Sequence, residues 1–242
     1  MPLTVHMFPC LSDNYGFLIR DETSGLIAAV DTPDADRYLE ELEALGWGRL
    51  DLILNTHWHP DHAGGNAALQ SATGAQIRAP EEVRRIAPLD VVLTGGDRVE
   101  LGETAFEVID TPGHTLGHIA FHAPGDHLAF VGDTLFALGC GRMFEGTPDQ
   151  LWGSLQTLAA LPEDTVVWCA HEYTASNARF ALTLDEGPEL AAHTETIFKL
   201  REDGCPTVPT TIGVERRFNP FVRARDAAEF AERRAAKDVF KG

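Results

Sequence analysis

The sequence predicts an α/β layered sandwich of two sheets followed by a small helical domain, and three observations carry that expectation. Short apolar runs rich in β-branched and aromatic residues alternate with helical stretches over the first two thirds of the chain. After His171 that alternation stops and helical texture takes over. A length of 242 residues suits one substantial core with an appendage, and 44% hydrophobic with 23% charged residues excludes disorder as a description of the whole.

Strands are expected at 17–19, 26–31, 50–55, 106–110, 119–122, 128–132 and 166–169, each bounded by Gly, Pro or Asp. A helix over 35–45 puts Leu39, Leu42 and Leu45 on one face, with Gly46 as its stop. Further helices are expected at 66–72 and 149–160, the second introduced by Thr147 and Pro148. Beyond His171, helices are expected at 175–184, 189–202 and 226–237, with a Thr-, Pro- and Gly-rich loop over 205–220 and no strand. The domain boundary is therefore placed between residues 171 and 172, giving domains 1–171 and 172–242.

Charge narrows the partners. Thirty-seven acids against 19 bases give −18, a field that repels phosphate backbones, so no nucleic acid is expected. No apolar run approaches the roughly 20 residues needed to cross a bilayer, and no membrane partner is expected. The start of the chain lacks a basic segment and meets Ser12, Asp13 and Asn14 early, so no signal peptide is expected. Cys10, Cys140, Cys169 and Cys205 form no C-x-x-C pair, which fits a reduced, cytoplasmic chain; a monomer is expected. From residue 213 on, eight bases face five acids (+3), leaving −21 on the first 212 residues. A basic end on an acidic body suggests a local site for an anion, although a solvated basic helix face would give the same count.

The sharpest signal is Thr56-His57-Trp58-His59-Pro60-Asp61-His62, directly after the strand expected at 50–55. Four side chains able to bind metal fall within six residues, and a structural zinc site would instead recruit cysteines and close at four ligands. In an extended segment residues i and i+2 share a side, so His57 and His59 can grip one ion. Asp61 and His62, at the turn into a helix, are free to face a second. Further ligand candidates follow strand ends: His114 after Thr111-Pro112-Gly113, Asp133 after Gly132, and His171 after Cys169. Asp31, in Val-Asp-Thr, is read as a carboxylate holding a ligand histidine, and His118 as a residue that supports a ligand or is structural, rather than a ligand itself.

THWHPDH, TPGHTLGH, GDTLF and AHEYT resemble, in that order, the signatures of the metallo-β-lactamase superfamily. The resemblance implies an αββα metallo-β-lactamase-type sandwich of two mixed sheets with a small C-terminal helical domain. It implies one metal on His57, His59 and His114, another on Asp61, His62 and His171, and Asp133 bridging the two. Lactamases typically carry cysteine at the Asp133 position, so the aspartate argues against β-lactam hydrolysis.

Within that superfamily, Gly139-Cys140-Gly141-Arg142-Met143-Phe144-Glu145-Gly146 resembles the G-C-G-[KR]-x-[FY]-E-G loop of the glyoxalase II (hydroxyacylglutathione hydrolase) family. Tyr173 matches its H-E-Y motif, residues 234–240 match its R-x-x-K-D-x-F ending, and FPCLSDNYGFLI is similar to its start. The resemblance implies hydrolysis of S-(2-hydroxyacyl)glutathione thioesters, typically S-D-lactoylglutathione, to glutathione and a 2-hydroxy acid, the second step of methylglyoxal detoxification. Two divalent ions are implied, zinc first, with iron and manganese suited to the same His/Asp ligands. Asp61 and Asp133 are the catalytic carboxylates beside a metal-bound hydroxide. Substrate contacts fall to Arg142, Met143, Phe144, Tyr173, Arg234 and Lys237, the cations meeting glutathione's two carboxylates. Phe144 replaces the tyrosine of some relatives and so loses a hydroxyl there. Cys140 has no paired base and reads as packed rather than nucleophilic. The rival readings are a persulfide dioxygenase with a single iron, an esterase or lactonase of the superfamily that does not use glutathione, and a non-enzymatic metal-binding module, which seven intact ligand positions disfavour.

Overall fold

The computed structural model describes residues 3–242, and by contact the chain divides into two compact units. The first holds the residues up to Asp110 together with Gly117–Gly132, and the second holds Thr111–Leu116 and Asp133–Gly242.

The first unit opens on β1 (Leu3–Cys10), β2 (Asn14–Asp21) and β3 (Ile27–Val30), paired antiparallel in turn. Helix α1 (Ala35–Ala44) returns the chain to β4 (Leu52–Leu54), parallel to β3. The short α2 (Pro60–Ala63) and then α3 (Asn66–Thr73) lead into β5 (Gln76–Ala79), and β6 (Val91–Val92) completes a mixed sheet in the order β1-β2-β3-β4-β5-β6. Strands β7 (Arg98–Leu101), β8 (Thr104–Asp110), β9 (Ile119–Ala123) and β10 (Leu128–Gly132) then pair as an antiparallel run.

Burial explains the sequences. β3 (IAAV) and β4 (LIL) are buried at every position, as parallel strands covered on both faces must be. Leu18, Ala29, Ile53 and Ile77 pack with Tyr38, Leu42 and Leu69, so one face of the mixed sheet lies under α1 and α3. On its other face Phe17 meets Phe130 of β10 edge-on at 5.4 Å. Helix α1 starts where Asp34 accepts the N–H groups of Asp36 and Arg37, and ends at Ala44, one residue short of expectation, because Leu45 is its cap. Gly46 follows at φ +66, the left-handed position that stops a helix.

In the second unit, β11 (Leu135–Phe136) and β12 (Gly139–Cys140) form a tight hairpin whose turn residue Leu138 has φ +55. Helix α4 (Pro148–Ala159) has a reciprocal cap between Thr147 and Gln150. Then come β13 (Val166–Cys169), α5 (Thr174–Ala181) and α6 (Pro188–Glu202). The stretch 205–220 is not the strandless loop expected from its composition. It contains β14 (Thr210–Thr211), paired with β13, and α7 (Ile212–Phe218), whose first turn is capped by the Thr211 hydroxyl on the Val214 N–H. A two-residue strand is too short to show alternation, which is why composition concealed it. The last helix, α8 (Ala227–Val239), starts on the Asp226 side chain and packs against α4. Phe180, Phe221, Phe230 and Phe240 form the aromatic contacts that tie α5 and α8 together. Strands β1, β5, β6, β7, β11 and β12 were not expected from the sequence; the first pairs residue for residue with β2. Among the described residues, no helix is long and apolar enough to cross a membrane.

Candidate metal centre

Parallel register builds the first half of the site. Val30 of β3 faces Leu54 of β4, so the residues leaving the two strands, Asp31 and Asn55-Thr56, emerge side by side. Asp31 is buried at φ +50 and accepts the Thr56 N–H at 2.8 Å and the Thr56 hydroxyl at 2.9 Å. The same carboxylate lies 2.8 Å from His62 Nδ1. Because the Thr56 hydroxyl proton goes to Asp31, Thr56 Oγ1 accepts from His57 Nδ1, 3.0 Å away. One carboxylate thus fixes two imidazoles in the tautomer with the proton on Nδ1 and the lone pair on Nε2. His57 and His62 are both fully buried, with ring centroids 4.0 Å apart.

The extended segment places His59 as expected: its Nδ1 is 2.9 Å from His57 Nε2. Proline at the first position of α2 turns the chain there, and Asp61 and His62 sit on that single helical turn. Asp61 Oδ2 lies 3.7 Å from His62 Nε2, while Asn14 Nδ2 donates to the Asp61 carbonyl at 3.0 Å and to its carboxylate at 3.3 Å. Asn14 was not singled out from the sequence; its partner is 47 residues away, and nothing local marks it. His118 is buried and stacked on His57 at 4.8 Å.

The second unit brings His114, Asp133 and His171 together. Asp133 points Oδ2 to His114 Nε2 at 3.4 Å and Oδ1 to His171 Nε2 at 3.3 Å, and all three are buried. His114 Nδ1 donates to the Arg142 carbonyl at 2.8 Å, which again leaves the lone pair on Nε2. Two ligands about 2.1 Å from one tetrahedral ion are about 3.4 Å apart. The Asp133 contacts have that spacing, so these donors fit a divalent cation in spacing and charge, and His114 fits it in tautomer as well. Gly141 presses on the same group, since a Cβ there would lie 1.9 Å from the Asp133 carbonyl oxygen.

Around this half lie the residues expected to touch substrate. Tyr173 stacks on His171 with rings 3° from parallel at 4.8 Å, and Phe144, largely exposed, meets His114 edge-on at 5.2 Å. The Arg142 side chain is exposed and 3.7 Å from Asp238. Met143 is half-buried beside it. Arg234 is buried, donating to the Cys140 carbonyl at 3.0 Å and to Asp238 at 2.9 Å. Lys237 donates to the Ser176 carbonyl at 2.9 Å and Oγ at 2.8 Å. Burial, then the positive neighbours Arg234, Arg142 and Arg179, lower the Lys237 pKa from 10.5 to about 8. Burial raises the Cys140 thiol to about 11, so it stays protonated and does not act as a nucleophile at neutral pH.

Comparison with known proteins accounts for these patterns. Residues 17–171 match the family model described as metallo-beta-lactamase superfamily, and residues 172–241 match that described as hydroxyacylglutathione hydrolase C-terminus. The chain is 52% identical to a hydroxyacylglutathione hydrolase of Erythrobacter litoralis, covering 98% of this chain and 100% of that protein. Among solved structures, ETHE1 from Myxococcus xanthus is similar at a TM-score of 0.73 and 26% identity, over 98% of this chain and 92% of its own. TTHA1623 in a di-iron-bound form is similar at 0.64 and 26%, over 90% and 99%. A His/Asp set of this kind in a protein matching that superfamily model implies divalent metal ions. The chain therefore belongs to the metallo-β-lactamase superfamily and, within it, to the hydroxyacylglutathione hydrolase family.

Proposed function

We propose that the protein hydrolyses S-(2-hydroxyacyl)glutathione thioesters, S-D-lactoylglutathione first among them, to glutathione and a 2-hydroxy acid. The observation that carries this reading is the placement of the segment 139–146: its Arg142 carbonyl accepts from the His114 imidazole while the Arg142 guanidinium is exposed, where it would be available to a glutathione carboxylate. Metal binding and glutathione recognition are thereby joined in one loop, in a chain that matches hydroxyacylglutathione hydrolases over its whole length.

In this reading His57, His59 and His114 would hold one divalent ion, Asp61, His62 and His171 a second, and Asp133 would bridge them. The di-iron form of a solved relative supports two ions, and the His/Asp ligands suit zinc, iron or manganese. When bound, the ions lower the pKa of water toward neutrality and polarise the thioester carbonyl. The rest is done by the chain. Asp31, through Thr56 and directly, keeps His57 and His62 in the ligating tautomer; the Arg142 carbonyl does so for His114. Asn14 holds the Asp61 carboxylate in place. Arg142, Lys237 and the buried guanidinium of Arg234 supply positive charge for the glutathione carboxylates, with Met143, Phe144 and Tyr173 as the apolar and hydroxyl-bearing wall. The leaving thiolate has a pKa of about 8.5, so it departs without a dedicated acid. Residues 1–171 form the catalytic domain and 172–242 the glutathione-binding domain in this assignment. The free thiols and acidic body suit a cytoplasmic monomer acting on a small molecule.

The test is loss of thioester absorbance with S-D-lactoylglutathione, paired with metal analysis of the same preparation. Turnover that tracks metal content is expected. Undiminished turnover after complete metal removal, or none by fully loaded protein, would overturn the assignment.

A further inference from the structure

The hairpin β11–β12 is gripped by two side chains that the proposed reaction does not use. Glu215 of α7 is 1% exposed, and its carboxylate accepts the Leu138 N–H at 2.8 Å, the Thr210 hydroxyl at 2.7 Å and Asn219 Nδ2 at 2.8 Å. Asn219, fully buried, donates from the same nitrogen to the carbonyls of Phe136 at 3.2 Å and Gly139 at 2.8 Å. Three backbone groups of the hairpin, on Phe136, Leu138 and Gly139, are thus tied to α7 and its C-terminal cap about 80 residues further along the chain. Leu138, the turn residue at φ +55, is among them.

We propose that Glu215 and Asn219 are positioning residues for the reaction: by locking this hairpin they set where Arg142 presents its guanidinium and where its carbonyl aims the His114 ring. The inference rests on the reading of Arg142 and His114 given above. The path from clamp to site is short and stiff. Cys140 closes β12 and has its carbonyl held by Arg234. Gly141 is pressed on the Asp133 carbonyl, and the next carbonyl is the one that His114 grips. A slip at Leu138 has no slack to absorb it before Arg142. Burying a carboxylate is costly unless each lone pair is used. Here three donors meet it, and the arrangement is one that a packing role alone would not need, since leucine fills similar volume without that cost.

A carboxamide can serve the same partners, because the Thr210 hydroxyl can turn to accept while Oε1 receives Leu138 and Asn219. Glu215→Gln is therefore the conservative rescue and Glu215→Ala the break. The experiment compares both in the full-length metal-loaded chain by amide hydrogen exchange at Leu138 and by steady-state kinetics with S-D-lactoylglutathione. Wild-type turnover serves as the control on the underlying reading, and the exchange measurement is independent of it. In Glu215→Ala, Leu138 exchange accelerates and KM rises about tenfold, the size of one misplaced charge-assisted contact. Glu215→Gln stays within about threefold of wild type on both. Should Glu215→Ala not fold, Asn219→Ala, which frees the Phe136 and Gly139 carbonyls, is expected to raise KM together with amide exchange across the β11–β12 pairing. Faster exchange with unaltered KM and kcat, or a kinetic defect that Glu215→Gln shares, overturns the proposal.

Discussion

The most demanding test of the proposed glutathione contacts is the pH dependence set by Lys237. Its ammonium is half-buried, spends two N–H groups on Ser176, and lies 5.6 and 5.2 Å from the ring centroids of Phe180 and Phe240. With its pKa at about 8, it is roughly nine-tenths charged at pH 7 and one-tenth at pH 9. If the third N–H binds a glutathione carboxylate, free enzyme must be protonated to bind well, whereas bound carboxylate keeps the lysine charged. kcat/KM therefore falls about tenfold per pH unit above 8, and kcat stays flat over the same range. The fall stops where the neutral amine's weaker binding takes over, about 1.5–3 kcal/mol below the charged contact. For folding the sign is reversed: the folded state disfavours the charged lysine, so stability rises as pH climbs from about 8 toward 10.5. The assay is initial-rate hydrolysis of S-D-lactoylglutathione between pH 6.5 and 9.5, corrected for spontaneous loss. Lys237→Arg, always charged, removes the break near pH 8, and Lys237→Met raises KM at pH 7 about tenfold and makes it insensitive to pH. A break unchanged in Lys237→Arg would refute the reasoning.

Three other outcomes are expected. Asp133→Ala loses at least one metal ion and most turnover, read by metal analysis and thioester absorbance together; full metal content and activity would contradict the bridging role. Asp31→Ala releases both His57 and His62 from their tautomers and weakens metal retention about 10–100-fold in a chelator competition, against no change if the carboxylate only packs. Burial raises the Glu215 pKa from 4.5 to about 7, so its contribution to stability is complete below 4.5 and is lost as pH rises through 7. That climb, at about 1.4 kcal/mol per pH unit, is worth about 3 kcal/mol in all. Between pH 5.5 and 8 wild type should lose about 2 kcal/mol, or about 4–8 °C in Tm, relative to Glu215→Gln; parallel melting curves would refute it.

Much of the candidate site was legible because its proposed ligands are contiguous or follow strand ends. Four of the seven fall in one heptapeptide, and their residue types are chemically unambiguous. The segment 139–146, proposed to meet glutathione, and the basic ending were equally local. The partners that orient those groups were harder to read. Asp31 was suspected, but which histidine it holds depends on the β3–β4 register, and Asn14, Glu215 and Asn219 carried no local mark. Strand β14 and helix α7 were missed for a related reason: a two-residue strand exists only through its partner β13.

The sequence by itself determined the superfamily, the residues proposed as metal ligands, the acidic body with its basic end and the thioester chemistry these imply, because residue type and charge are properties of single positions. Only the tertiary structure decided which nitrogen carries the proton in His57, His62 and His114, that Arg234 is buried and bonded to the Cys140 carbonyl while Arg142 stays exposed, and that Glu215 reaches Leu138. Apart from the Thr56–His57 contact, the hydrogen bonds behind those facts join residues 25 to 94 positions apart, formed through register and packing that no local pattern encodes.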